Sequence, residues 1–234
     1  MTTTAQYLER RSEIETYFDR TAAVAWSRLT SDVPVGRIRA SVRAGRDEMR
    51  NTLMSWLPQD LRGARLLDAG CGTGLLSIDA ARRGADVVAV DISPTLIDIA
   101  RDRIPADISP RAIKFLAGDM LDPRLGRFDF VVAMDSVIHY RPNDVTRIVA
   151  SLAGRTAHWL VMTFAPRTPA LALMHAVGRA FPRGNRAPAV EPVAEQRFRR
   201  LLIDHPDIEG WTFGRSRRIS SGFYKSHALE LLPS

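Results

Sequence analysis

Residues 66–74 read Leu66-Leu67-Asp68-Ala69-Gly70-Cys71-Gly72-Thr73-Gly74, an apolar run that breaks into three alternately spaced glycines. Glycine adopts backbone angles that other residues avoid and lets a ligand approach the chain closely. A helix that follows such a turn points its free N–H groups toward the same ligand. The stretch is therefore typical of a nucleotide-binding turn between a strand and a helix. Its G-x-G-x-G spacing differs from the G-x-G-x-x-G of many dinucleotide-binding folds.

Three further predicted strands end in residues suited to a nucleoside ligand. Residues 86–91 form a β-branched run that ends in Asp91. A carboxylate at the end of a second parallel strand is placed to accept hydrogen bonds from two ribose hydroxyls, and the next residue, Ile92, can pack on an adenine ring. The other two strands, 113–117 and 128–134, lead into Gly118-Asp119-Met120 and Asp135-Ser136. Four strand ends in this order predict one ligand site along the edge of a sheet.

Length and composition predict a single enzyme-sized unit. The chain has 234 residues, 45% of them hydrophobic, and one cysteine. A chain of this size can bury a substantial core without disulfides or metal ions. One cysteine excludes an internal disulfide framework and a cysteine-cluster zinc site, and Cys71, between two glycines, is interpreted as a small residue at a close approach. The first 20 residues are polar and charged and no apolar run approaches the roughly 20 residues of a membrane span, which predicts a cytoplasmic protein.

The charge balance predicts an acidic partner. The formal net charge is +7, and most of the cations are arginines, which favour planar, two-pronged pairing with carboxylates or phosphates. Nucleic acid, an anionic membrane surface and a carboxylate-bearing substrate all satisfy this requirement. A helix predicted at 36–57 carries four arginines along one stripe, namely Arg39, Arg43, Arg46 and Arg50. Arg43 and Arg46, in the middle of that helix, are candidates to hold a carboxylate, and a solvated face paired with acidic neighbours is the alternative.

The remaining pattern alternates strands with helices after two N-terminal helices at 5–29 and 36–57. The second of these is expected to turn Ile38, Val42, Met49, Leu53 and Trp56 inward. The predicted core elements are strand 65–69, helix 74–83, strand 86–91, helix 94–103, strand 113–117, strand 128–134, helix 143–153, strand 158–164, helix 194–204 and strands near 209–217 and 220–232. A proline-containing stretch at 165–193 is predicted to be an insertion over the ligand site.

The glycine turn resembles the first motif of class I S-adenosylmethionine-dependent methyltransferases. Over nearly its full length the chain is similar to the magnesium-protoporphyrin IX O-methyltransferases, which esterify one propionate of the macrocycle in chlorophyll and bacteriochlorophyll synthesis. Besides the glycine turn, the likeness lies in Tyr17-Phe18-Asp19, Trp26, Ile38-Arg39 through Gly45-Arg46, Asp91-Ile92-Ser93, Asp135-Ser136-Val137-Ile138-His139-Tyr140, Thr163-Phe164-Ala165-Pro166-Arg167-Thr168, Phe181-Pro182 and Ser221-Gly222-Phe223-Tyr224. Some relatives carry a tyrosine a few positions after the N-terminal tryptophan, where this chain has Leu29-Thr30. A role of that tyrosine is therefore not transferred.

The resemblance implies an α/β fold of the Rossmann-like class I methyltransferase type, in which a seven-stranded, mostly parallel sheet has helices on both faces. It divides the chain into an N-terminal helical arm or lid, 1–60, and an S-adenosylmethionine-binding core, 61–234, with the insertion at about 165–193. The cofactor is S-adenosyl-L-methionine, converted to S-adenosyl-L-homocysteine, and the only metal expected is the magnesium carried by the substrate. The implied cofactor-binding residues are Asp68, Gly70, Cys71, Gly72, Asp91, Ile92, Asp119, Met120, Asp135 and Ser136.

His139 and Tyr17 are the candidate catalytic residues. A propionate is ionised near neutral pH, because its reference pKa is about 4.3, so its attack on a sulfonium methyl group requires no strong base. We expect His139 to orient the carboxylate and Tyr17 to close over the cofactor. The candidate substrate-binding residues are Arg43, Arg46, Arg167 and Arg183.

Several alternatives stay open at this point. The class I enzyme could act on another small carboxylate or on nucleic acid, although the fourth strand lacks the Asn/Asp-Pro-Pro-aromatic turn of base methylases and no nucleic-acid partner is expected. A nicotinamide dehydrogenase is a second alternative, but this chain lacks the G-x-G-x-x-G spacing of that class. A non-catalytic tetrapyrrole carrier that retains the fold is a third. The resemblance implies magnesium protoporphyrin IX as substrate and the large porphyrin-binding subunit of magnesium chelatase as a partner. It leaves open whether the chain contacts the photosynthetic membrane peripherally.

Overall fold

The computed structural model describes residues 5–31, 33–167 and 189–234. Its strands are β1 Arg65–Ala69, β2 Asp86–Asp91, β3 Ile113–Ala117, β4 Phe128–Ala133, β5 Thr156–Phe164, β6 Trp211–Ser221 and β7 Tyr224–Pro233. They form one sheet in the order β3-β2-β1-β4-β5-β7-β6, in which β7 runs antiparallel to both of its neighbours. The predicted seven-stranded, mostly parallel sheet is confirmed. The strand order reverses between β1 and β4, where an open α/β sheet leaves a crevice at its carboxyl edge.

The helices flank this sheet at the positions that the sequence predicts. They are α1 Ala5–Thr16, α2 Ala23–Leu29, α3 Arg37–Trp56, α4 Leu75–Arg82, α5 Pro94–Asp102, α6 Pro142–Ala153 and α7 Glu195–Ile203. The segment predicted as one helix over 5–29 contains a π-helix at Tyr17–Ala22 between α1 and α2. Short π-helical segments are rare and recur at functional sites. Within the described ranges, no helix combines the length and apolar character that crossing a bilayer requires.

Alternate residues of the central strands fill two apolar cores, one on each face of the sheet. Leu67 and Val131 pack with α6 and α7, whereas Leu66 and Val132 pack with α3, α4 and α5. All four side chains are excluded from solvent. Parallel strands covered on both faces read as continuous apolar runs, which is why the apolar and β-branched runs in the sequence located them.

The inward face of α3 is predicted correctly except at its start. Met49, Leu53 and Trp56 are buried and Val42 is partly buried against the same core, but Ile38 is 60% exposed. Burial along α3 begins at Gly45. The expectation for Ile38 is wrong because the first turn of α3, which carries this side chain, is left uncovered while the later turns pack on the core.

The predicted insertion lies largely outside the described residues, which stop at Arg167 and resume at 189. Its two ends meet: the N–H of Val193 donates to the carbonyl of Ala165 at 3.0 Å, and the N–H of Arg167 donates to the carbonyl of Val193 at 3.0 Å. The chain therefore leaves and re-enters the core at one place, next to the end of β5.

Candidate functional site

A cavity of about 510 Å³ opens at the carboxyl ends of β1, β2 and β4. Every residue that the sequence analysis assigns to cofactor binding lines this cavity, and so do both candidate catalytic residues. Of the candidate substrate-binding arginines, Arg43 and Arg46 line the wall, Arg167 is exposed outside it, and Arg183 lies outside the described residues. The fold thus brings the predicted cofactor-binding and catalytic residues to one cavity, together with two of the four candidate substrate-binding arginines.

The glycine turn is held in a conformation that requires glycine. Gly70, Gly72 and Gly74 all have positive φ angles, of 85°, 55° and 79°. A Cβ atom on Gly70 would lie 2.2 Å from the Cβ of Ser136, a distance that side chains do not tolerate. The turn therefore stays free of side chains, and the cavity wall at this point is backbone.

Asp91 stands at the end of β2 beside this turn. Its carboxylate accepts hydrogen bonds from the N–H of Gly72 at 2.8 Å and from the N–H of Ser93 at 3.0 Å. Burial raises the pKa of the Asp91 carboxyl, and these backbone donors oppose the rise. Because a carboxylate offers about four acceptor positions, Asp91 keeps acceptor capacity for hydroxyl donors of a ligand.

Two further polar groups near the turn indicate a polar or cationic ligand. The Oγ of Ser136 is buried and has no hydrogen-bond partner among the described residues, a condition that is uncommon away from ligand sites. Asp68 is buried and accepts a 2.6 Å hydrogen bond from Ser77 Oγ. Burial, with the nearby Asp91 carboxylate, raises the pKa of Asp68 to about 7. A cation bound here would relieve that cost.

The surroundings of Cys71 disfavour its thiolate form. Burial raises the pKa of its thiol well above the ordinary value, and the neighbouring carboxylates raise it further. The thiolate is the reactive form of cysteine, so the neutral thiol agrees with the interpretation of Cys71 as a small residue at a close approach.

Asp119 lines the cavity just after β3, where it meets the N-terminal arm. Tyr7 Oη donates to Asp119 Oδ1 at 2.9 Å, and Arg11 Nη1 donates to Oδ2 at 2.8 Å. Tyr7 also stacks on Tyr140 with ring centroids 5.3 Å apart. Sequence reasoning missed Tyr7 and Arg11, although their spacing of four places both on one face of α1. Asp119, which the sequence analysis assigns to cofactor binding, thus also anchors the arm.

Asp135 joins three separate parts of the chain. Its carboxylate accepts hydrogen bonds from Arg46 Nη1 at 2.7 Å, from Tyr224 Oη at 2.9 Å, and from Ser226 Oγ and Thr163 Oγ1 at 3.0 Å each. Asp135 has a φ of 52°, which is rare for a residue other than glycine. Such strain persists where the surroundings hold a residue firmly, and it is frequent at functional sites. This carboxylate ties the end of β4 to α3 and to the hairpin between β6 and β7.

The arginine stripe of α3 is directed largely at protein partners. Arg46 lies 4.5 Å over the ring of Trp26 while it pairs with Asp135. Arg43 donates to three backbone carbonyls, those of Arg28, Leu29 and Val33, at 2.7–2.9 Å. Arg50 pairs with Asp47 and Asp79 at 2.7 and 2.9 Å. Their assignment to substrate remains a prediction, and in this structure binding a carboxylate would compete with these contacts.

His139 closes a 3-10 turn, Val137–His139, that follows β4. Its side chain is buried, and its ring meets the edge of Phe18 with centroids 5.7 Å apart. Phe18 in turn meets Tyr17 at 5.2 Å. Phe18 therefore contacts the rings of both candidate catalytic residues. Sequence reasoning assigned it no role, although it stands in the quoted Tyr-Phe-Asp segment.

Polar contacts fasten the arm over the cavity beside these rings. Asp19 accepts hydrogen bonds from the N–H of Thr95 at 3.0 Å and from Ser93 Oγ at 3.2 Å, at the start of α5. Thr73 Oγ1, in the glycine turn, donates to Thr30 Oγ1 at 2.8 Å. Neither Asp19 nor Thr30 carries a local sequence signal for these contacts.

Comparison with known proteins agrees with this geometry. Residues 133–233 match the family model for the magnesium-protoporphyrin IX methyltransferase C-terminus, and residues 66–157 match a methyltransferase domain. A magnesium-protoporphyrin O-methyltransferase of Rhodobacter capsulatus is 48% identical over 98% of this chain and 99% of its own length. The chloroplastic magnesium protoporphyrin IX methyltransferase of Arabidopsis thaliana is 31% identical over 94% of this chain and 70% of its own.

A solved structure extends the comparison to three dimensions. The crystal structure of magnesium protoporphyrin IX methyltransferase from Synechocystis PCC 6803 with bound SAH superposes with a TM-score of 0.84, at 28% identity, over 96% of this chain and all of that one. The class I methyltransferase fold is therefore confirmed. Because the identity to the Rhodobacter enzyme extends over essentially both whole chains, this protein belongs to the magnesium-protoporphyrin O-methyltransferase family.

Proposed function

We propose that this protein transfers the methyl group of S-adenosylmethionine to one propionate carboxylate of magnesium protoporphyrin IX and forms a methyl ester. The observation that carries the proposal is the cavity itself, which holds the glycine turn and Asp91 at one end and His139 beside β4. The chain that builds it is 48% identical over its length to an enzyme named for this reaction. The Synechocystis relative, by its description, has been crystallised with SAM and with SAH.

The residues of the cavity fit S-adenosylmethionine. Asp91 keeps acceptor positions for ribose hydroxyls, Ser136 Oγ offers an unused hydroxyl, and Asp68 favours a positive charge. Ile92 and Met120 supply the apolar contact for an adenine ring. When bound, S-adenosylmethionine supplies a methyl group on a sulfonium, which is open to direct attack by a carboxylate. The magnesium arrives with the porphyrin.

Catalysis by this chain then consists of positioning and exclusion of water. The propionate is already ionised, so the site has no proton to remove from it. His139 orients the carboxylate, and the Phe18 ring against it restricts the imidazole to one position. Tyr17, whose ring also contacts Phe18, closes over the cofactor from the N-terminal arm. Holding two reactants in line is worth several kcal/mol of the barrier in general, and a dry site strengthens each polar contact.

The N-terminal arm, residues 1–60, serves as the lid of this site. Three contacts fasten it at separate points: Tyr7 to Asp119, Asp19 to the start of α5, and Arg46 to Asp135. A macrocycle enters after some of these contacts release, and their reclosure excludes water. The arm thus couples substrate entry to the carboxylates at the ends of β3 and β4.

Two finer assignments rest on the resemblance and on charge. The large subunit of magnesium chelatase is proposed as the partner that delivers the porphyrin, and peripheral contact with the photosynthetic membrane is proposed for the basic surface. The net charge of +7 supports both, because either partner would have to present acidic groups.

The direct test is methyl transfer by the purified chain from labelled S-adenosylmethionine to magnesium protoporphyrin IX, in parallel with metal-free protoporphyrin and total RNA. We expect base-labile label in the magnesium porphyrin. Label in RNA, or porphyrin binding without transfer, would refute the proposal; the first favours a nucleic-acid methyltransferase and the second a tetrapyrrole carrier.

The role of His139 is tested by His139→Ala, with the exposed His158→Ala as matched control. We expect turnover to fall by about tenfold to a hundredfold through lost orientation, with the dissociation constant of S-adenosylmethionine within about twofold of the parent. If His139→Ala abolishes cofactor binding instead, the residue belongs to the cofactor site and the assigned role is wrong.

A further inference from the structure

The turn that carries His139 is held at its carbonyl end by distant segments of the chain. The last carbonyls of a 3-10 turn such as Val137–His139 have no partner inside the turn. Here the N–H of Glu191 donates to the carbonyl of Ile138 at 2.8 Å, and Arg10 Nε donates to the carbonyl of His139 at 2.7 Å. The backbone of His139 is therefore fixed from outside its own turn.

The guanidinium of Arg10 is itself fixed in direction. Its Nη2 donates to the carbonyl of Ala189 at 2.8 Å, and its Nη1 donates to Glu13 Oε2 at 2.8 Å. Glu191 Oε1 lies 3.8 Å from Nη2. A planar fork with all three nitrogens engaged holds each acceptor in a defined position. Arg10 thus determines where the carbonyl of His139 lies.

The same N-terminal arm contacts His139 and its neighbour at two further points. Tyr7 precedes Arg10 by three positions, so the two side chains share one face of α1. The ring of Tyr7 stacks on Tyr140, the residue after His139, with centroids 5.3 Å apart. Phe18, farther along the arm, meets the imidazole at 5.7 Å. The docked arm therefore touches the backbone, the ring and the following residue of His139.

Arg10 does this without lining the cavity. Tyr7, Arg11 and His139 belong to the cavity wall formed by the described residues, whereas Arg10 does not. Its side chain is 21% exposed and lies behind the turn that it holds. Any effect of Arg10 on a reaction in the cavity is therefore expected to pass through the backbone of His139.

We propose that Arg10 is a positioning residue that holds the His139 backbone so that the imidazole faces the carboxylate to be methylated. This assignment rests on the proposed function and deepens it, because it makes the orientation of His139 depend on the docked arm. Hydrogen bonds from a charged donor are short and strong. A displacement of about 1 Å in a reacting geometry costs about a hundredfold in rate. Loss of the Arg10 contact therefore lowers turnover and leaves ligand binding intact.

The test measures kcat and KM for methyl transfer to magnesium protoporphyrin IX by Arg10→Met, which removes the donors and keeps much of the apolar stem. The matched control is Arg37→Met, an exposed arginine of α3. We expect kcat to fall about five- to twentyfold for Arg10→Met. The KM for the porphyrin and the dissociation constant of S-adenosylmethionine should stay within about twofold of the control.

Arg11→Met separates this effect from a general loosening of the arm. Arg11 is the neighbouring residue of α1, and its ion pair with Asp119 at 2.8 Å fastens the arm at a cofactor-site residue instead of at His139. We expect Arg11→Met to weaken S-adenosylmethionine binding. An equal loss of kcat in Arg11→Met, at unchanged cofactor affinity, would show that any loosening of the arm suffices and would overturn the role of Arg10.

A double-mutant cycle shows whether Arg10 acts through His139. Turnover of the Arg10→Met/His139→Ala variant should equal that of His139→Ala within about twofold, because the imidazole that Arg10 positions is gone. In Arg10→Met alone, the NMR signals of the His139 ring, identified by their loss in His139→Ala, should shift, while those of the exposed His158 stay in place.

Three results would overturn the inference while porphyrin methylation by the parent still stands. They are a kcat of Arg10→Met that equals the control, a further multiplicative fall in the double variant, and unshifted His139 signals. Turnover of His139→Ala at the parent rate would refute the role of His139 and the positioning role with it. Absence of any porphyrin methylation by the parent would instead refute the proposed function.

Discussion

Replacing Arg46 by methionine tests whether Asp135 depends on its guanidinium. The two side chains are 17% and 4% exposed, and their charged atoms lie 2.7 Å apart. Removing one partner of a buried ion pair costs about 3–5 kcal/mol, because the remaining charge stays buried. Loss of the cation–π contact with Trp26 adds about 0.5–1 kcal/mol.

Two features of the site reduce that cost. Tyr224, Ser226 and Thr163 still donate to the Asp135 carboxylate after the change, and methionine retains much of the apolar stem of arginine. We therefore expect Arg46→Met to lower the free energy of unfolding by about 3 kcal/mol. In a chain of this size that corresponds to a fall in melting temperature of about 6–12 °C.

Urea unfolding followed by circular dichroism at pH 7 measures this change, with an unaltered m-value as the sign that the transition is still the same one. The control is Arg37→Met, an exposed arginine of the same helix, which should stay within about 0.5 kcal/mol of the parent. A loss below about 1 kcal/mol for Arg46→Met would show that the Asp135 carboxylate does not need the guanidinium. In that case the contacts of Asp135 would not hold the arm as described.

Two further predictions concern the glycine turn and the carboxylate beneath it. Gly70→Ala places a Cβ atom 2.2 Å from Ser136 Cβ at a φ of 85°. We therefore expect the affinity for S-adenosylmethionine, measured by calorimetry, to fall at least about tenfold. An unchanged affinity would contradict the close approach. For Asp68, the folded pKa of about 7 exceeds the ordinary 3.8, so its contribution to stability is complete below pH 4 and is lost as pH rises toward 7. Asp68→Asn removes this loss. The free energy of unfolding of the variant minus that of the parent, measured in urea titrations, should therefore be larger at pH 8 than at pH 5 by roughly 2–3 kcal/mol. The same difference at both pH values would show that the pKa of Asp68 is ordinary.

The sequence by itself determined the strands, the glycine turn and the residues assigned to cofactor binding, all of which line the cavity. These features are local. An apolar run long enough for a strand has to be buried on both faces, and a turn with positive φ at three positions requires glycine there. Because the carboxyl ends of parallel strands meet at one edge, residues that follow the strands converge without any knowledge of their contacts. Burial at the start of α3 was beyond this reasoning, since a helical period does not show where the sheet ends, and Ile38 was misplaced for that reason.

Only the tertiary structure decided which polar groups pair. Arg46 meets Asp135 across 89 positions of sequence and Tyr7 meets Asp119 across 112. Nothing within a helix stripe distinguishes Arg39, whose side chain has no hydrogen-bond or ion-pair partner among the described residues, from Arg43 and Arg46, which are engaged. The partner of a long charged side chain depends on which surface folds against its helix. Pairing is therefore a property of packing between distant segments, and a local pattern of residues does not contain it.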